Sequence, residues 1–141
     1  MVYTLLREDG SGAEYTRPKR GATDGHWFVL PHTYWLDGWD RKLSAAEKLM
    51  LLIALDQKDG FDISPERTPA WYGISRATAQ RGYRGLVEHG ILSAEIYHQA
   101  DPKSPTGWRT SIRYTTLGPW SIASRLKAGK TRKVVEAERE E

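Results

Sequence analysis

Between Gly73 and Leu92 the chain runs Gly-Ile-Ser-Arg-Ala-Thr-Ala-Gln-Arg-Gly-Tyr-Arg-Gly-Leu-Val-Glu-His-Gly-Ile-Leu. This order reads as a turn, a capped basic helix, a glycine stop and the start of a strand. Ser75 offers a side-chain oxygen to the free N–H groups of a first helical turn, with Gly73-Ile74 as the turn before it. Gly90 closes the segment, and His89 sits near the negative end of the helix dipole. Ala79, Gly82, Tyr83 and Leu86 fall at i, i+3, i+4 and i+7 and form the expected inward stripe.

The outward residues are then Arg76, Thr78, Gln80, Arg81 and Arg84. Arginine pairs bidentately with guanine, glutamine pairs with adenine, and threonine and arginine reach phosphates. The same pattern also describes a basic helix face that meets only solvent. The neighbouring segments decide between the two.

Upstream, Ser44 and Glu47 stand three apart, the reciprocal capping box of a helix start. That helix is expected to run through Lys48–Leu55 and to end near Asp59-Gly60. Its nearly continuous apolar run marks it as the helix on which the others pack, and it is too short to span a bilayer. A shorter helix lies between Ile63 and Tyr72. Ser64-Pro65 and Thr68-Pro69 each read as a cap followed by a first-turn proline, so both starts stay open; a start at Ser64 would put Pro69 inside the helix and bend it. After Gly90 the period changes to two. Ile91–Tyr97 is one strand, and Trp108, Thr110, Ile112 and Tyr114 alternate with polar residues in a second. The polar loop 98–107 between them makes a hairpin.

Three helices followed by a hairpin, with Gly-Ile-Ser before the third helix and Leu-Val-Glu-His-Gly-Ile-Leu after it, resemble the winged helix-turn-helix family over Leu43–Leu117. The resemblance implies an α+β fold, a three-helix core plus a β-hairpin wing. It further implies a third helix that enters the major groove of DNA and a wing along phosphates or the minor groove. By that resemblance Ser75, Arg76, Thr78, Gln80 and Arg81 match positions that contact DNA, and Lys103 and Arg109 are wing contacts. Arg84 joins them as an outward cation of the same helix. The pattern is most similar to bacterial regulators and to plasmid or phage replication initiators. Two departures stand out. Thr68-Pro69 replaces the Leu-Ala usual in the second helix, and Gly82 and Gly85 replace larger residues. A helical glycine costs about 1 kcal/mol relative to alanine, so close packing against the helix beginning at Ser44 is expected there.

The 141 residues allow one domain with extensions, and the net charge of +3 suits a nucleic-acid partner without proving one. Residues 1–25 read as an N-terminal strand or a flexible basic arm carrying Arg17, Lys19 and Arg20, residues 26–118 as the winged domain with its aromatic lead-in, and residues 119–141 as a charged helix or tail. Arg125, Lys127, Lys130, Arg132 and Lys133 precede the acidic Glu136, Glu138, Glu140 and Glu141, which offset them. Three of the six tryptophans lie within Trp27–Trp39. That segment covers the core or, with the C-terminal segment as its rival, forms a homodimer interface.

The chain has no cysteine, so disulfides and thiolate metal sites are excluded. The N-terminus lacks the pattern of a signal peptide, and a cytoplasmic protein is the default. His26, His32, His89 and His98 have no metal-ligand spacing. No nucleophile has an evident base, and no phosphate-binding glycine loop occurs. The scattered aspartates read as turn caps. The expectation is a non-enzymatic, sequence-specific double-stranded DNA-binding protein without cofactor or metal, used in transcription regulation. Binding at a replication origin, or a protein-interaction module of the same fold without DNA contact, are the alternatives.

Overall fold

The computed structural model describes residues 3–7, 9–16 and 28–127. The basic residues Arg17, Lys19 and Arg20, together with Trp27 and the cluster Lys130, Arg132 and Lys133, lie outside them. The fold is mixed α+β, with helices α1 (Thr33–Leu36), α2 (Trp39–Lys42), α3 (Ala45–Asp56), α4 (Thr68–Tyr72) and α5 (Arg76–Glu88), then strands β1 (Leu92–Ala100) and β2 (Trp108–Thr116). No helix among the described residues is long and apolar enough to cross a membrane.

α3 starts on the full capping box. Glu47 N–H donates to Ser44 Oγ at 3.4 Å, and Ser44 N–H donates to Glu47 Oε2 at 2.6 Å. Met50, Leu51, Ile53, Ala54 and Leu55 are buried, so this helix is the floor of the core. It ends at Asp56, short of the expected Gly60. The chain then turns at Asp59-Gly60, with Gly60 at φ +73°, and Phe61 bridges to Tyr114, whose N–H donates to Phe61 C=O at 2.8 Å. Phe61 thus adds one residue of a third strand beside the β1–β2 hairpin.

The two candidate starts of the second helix resolve in favour of Thr68. Arg67 N–H closes a turn on the Ser64 carbonyl at 3.0 Å, and α4 begins after it. Thr68 is the first helical residue rather than the cap; it is fully buried and its hydroxyl donates to the Pro65 carbonyl at 2.8 Å. Gly73, at φ +66°, turns the chain into α5.

α5 packs on α3 through Ala79, Gly82, Tyr83, Gly85 and Leu86. A side-chain carbon at Gly82 would meet Met50 Cγ and, at 2.5 Å, the Ala46 carbonyl; at Gly85 it would meet the Glu47 carboxylate. The glycines are therefore the means by which α5 lies against α3. Beyond His89, Gly90 takes φ +68°, Gly90 N–H returns to Val87 C=O and Ile91 N–H to Leu86 C=O, a Schellman ending.

β1 and β2 pair antiparallel from Leu92↔Thr116 to Ala100↔Trp108. Both strands are longer than the alternation predicts, and the connecting loop shrinks to residues 101–107. The hairpin is tied to α5 and to the segment that follows α3. Tyr114 stacks on Tyr83 with ring centroids 4.2 Å apart, Tyr97 donates to Asp62 at 2.8 Å and Thr116 to Asp59 at 3.2 Å.

The aromatic lead-in divides. Leu30, Tyr34 and Trp39 pack on the core, whereas Trp35 and Leu36 are exposed. Tyr34 and Trp39 both meet Trp120 edge-on, at 6.5 and 6.2 Å. Trp120 is buried, as is Arg125, whose guanidinium donates to the Trp120 and Leu55 carbonyls at 2.9 Å. The packed unit therefore continues past residue 118. Near the N-terminus, Leu6 and Glu14 form an antiparallel bridge around a turn at Asp9–Ser11, and its side chains are exposed.

Candidate nucleic-acid interface

Ser75 caps α5 as its position suggests. Its hydroxyl accepts from Thr78 N–H at 3.2 Å and shares a 2.8 Å hydrogen bond with the Thr78 hydroxyl. Both side chains are thus engaged in forming the helix start. Arg76, Gln80, Arg81 and Arg84 all stand exposed on α5, with Arg76, Gln80 and Arg84 spaced i, i+4, i+8 along one stripe.

Arg109, in the first part of β2, faces the same region. Gln80, Arg84 and Arg109 line one open cleft of about 860 Å³, bounded by α5, β2 and the 62–67 segment. Its floor includes Tyr83, Val87, Ile112 and Tyr114. Arg81 is not among the lining residues. Lys103 lies apart, exposed in the hairpin loop, where Lys103 N–H donates to Asp101 Oδ1 at 2.9 Å. The structure therefore joins Gln80, Arg84 and Arg109 in one concavity and sets Arg81 and Lys103 outside it.

The charges around the cleft are unevenly committed. Arg76 is paired with Glu66 at 2.9 Å, the Arg67 guanidinium lies 5.4 Å from the Trp71 ring centre, and Asp62 accepts from Tyr97. Among the described residues, the side chains of Gln80, Arg81, Arg84, Lys103 and Arg109 make no hydrogen bond or ion pair. Buried beneath them, the Tyr83 hydroxyl has no hydrogen-bond partner among the described residues. Burial pushes its ionisation well above the ordinary tyrosine range, with Tyr114, Tyr72 and Asp62 adding to the shift. Burial likewise raises Tyr114, helped by Asp62 and Glu66. Both rings are therefore neutral props, and the polar chemistry belongs to the rim.

Trp108 stands exposed at the far end of the hairpin, and the Thr106 hydroxyl donates to its backbone carbonyl at 3.1 Å. Sequence reasoning missed Glu66 and Phe61. Glu66 meets Arg76 only because the turn at Ser64–Arg67 brings them together, and no periodicity announces a one-residue strand at Phe61. Compared with protein-family models, curated proteins and solved structures, the chain matches none.

Proposed function

We propose that this chain is a sequence-specific double-stranded DNA-binding protein of the winged helix-turn-helix kind, acting in transcription regulation. In this reading α3, α4 and α5 form the helical core, α5 is the recognition helix and the β1–β2 hairpin is the wing. The reading rests on one observation above the rest. Five side chains, Gln80, Arg81, Arg84, Lys103 and Arg109, are exposed and unengaged on one helix and the adjoining hairpin. Arginines without an ion pair remain free to take phosphate or guanine, and an unengaged glutamine can take adenine.

The test is selection of bound sequences from a random duplex pool, followed by salt titration of the best one. Enrichment of a defined site is expected. Arg81→Ala then costs about 1–3 kcal/mol and relaxes preference at one base pair, whereas Lys103→Ala weakens all sequences alike and lowers the salt slope by about 1. No enrichment over the pool overturns the reading. Recovery of sites in origin repeats instead of promoters would move the role from regulation to replication.

A further inference from the structure

The first turn of α5 carries no acidic residue, and Arg76 occupies its first position. The positive end of the helix dipole does not favour a cation there. What holds Arg76 is Glu66, whose Oε1 lies 2.9 Å from one guanidinium nitrogen while both side chains remain more than half exposed. The backbone turn that carries this carboxylate is fixed. Pro65 fixes its own φ, the turn is closed by Arg67 N–H on the Ser64 carbonyl, and the fully buried Thr68 locks it from below through the Pro65 carbonyl.

We propose that Glu66 is a specificity-determining residue of the DNA interface, pinning the Arg76 guanidinium by one nitrogen so that its remaining donors meet one base edge instead of the nearest phosphate. The inference rests on the DNA-binding reading above. An unpinned arginine is long and flexible and behaves as a mobile cation that any phosphate can capture. A guanidinium held by a charge-assisted hydrogen bond keeps a defined plane and still has unused donors. The same carboxylate also repels phosphates, so Glu66 lowers affinity for every duplex while sharpening choice among them. An exposed ion pair contributes little to folding, and its loss therefore registers in binding.

The experiment compares Glu66→Ala, Arg76→Ala and the double variant with wild type by pool selection, by titration against singly substituted versions of the selected site, and by salt titration on an unselected duplex. Glu66→Ala is expected to bind the unselected duplex more tightly, with a salt slope steeper by about 0.9. It is also expected to lose about fivefold or more in discrimination at one base pair. Arg76→Ala loses discrimination at that same base pair, and the double variant loses no more than either single change. Glu66→Gln, which leaves an acceptor oxygen in place, retains part of the discrimination. Wild-type discrimination at every position in Glu66→Ala overturns the proposal, as do losses that add in the double variant. In either case an enriched wild-type site leaves the DNA-binding reading standing. That reading falls only if wild type itself enriches nothing, and the proposal falls with it.

Discussion

Gly82 and Gly85 stand where α5 lies on α3, and neither position has room for a methyl group. Helix propensity alone predicts that alanine at each would stabilise the protein by about 1 kcal/mol. Steric contact predicts the opposite at Gly82, where the obstacle includes the Ala46 carbonyl, which is backbone and cannot swing aside. Gly82→Ala is expected to lower unfolding free energy by about 1–2 kcal/mol net, measured by denaturant titration. At Gly85 the obstacle is the Glu47 side chain. Gly85→Ala is therefore destabilising in the wild-type background but stabilising by about 1 kcal/mol when Glu47 is already alanine. Glu47 itself titrates informatively. Burial opposes its ionisation, but hydrogen bonds from Ser44 and the facing His89 outweigh that and hold its pKa below the ordinary 4.5. A carboxylate depressed in the folded state contributes stability that is present above its unfolded value and is lost as pH falls through the folded one. Wild type should thus lose stability below about pH 4.5 by more than Glu47→Gln does, which a series of melts at decreasing pH checks.

At the level of elements, what was legible in the sequence was what is local. The Ser44–Glu47 box, the Ser75 cap and the Gly90 stop each act within a few residues, and each forms as its spacing requires. The hairpin was legible because alternation is also a short-range signal. Ser64-Pro65 and Thr68-Pro69 carried the same local signal twice, and only tertiary packing distinguishes them: the core buries Thr68 completely and turns its hydroxyl back onto Pro65. Phe61 and the Glu66–Arg76 pair were not legible, since each depends on residues brought together by the fold. Of the candidate site, the outward stripe of α5 was readable from the helical period, but the cleft that gathers Gln80, Arg84 and Arg109 was not.

At the scale of the molecule, the aromatic lead-in and the segment after the hairpin meet on one ring. Trp120 receives Tyr34 and Trp39 edge-on and offers its carbonyl to Arg125, which also closes the end of α3 through Leu55. Trp120→Ala is expected to cost about 3–5 kcal/mol, seen as a lowered denaturation midpoint in a single transition. A loss below about 1 kcal/mol would mean that the lead-in and the C-terminal segment do not share a core. The separation of duties along α5 has a different consequence. The residues that seat the helix and those that face outward are disjoint sets, so the outward set can be exchanged without retuning the seat. If α5 reads DNA as proposed, positions 80, 81 and 84 form an interchangeable cassette. Randomising them should yield variants with new target sites and unchanged melting behaviour, making this small fold a chassis for reprogrammed recognition.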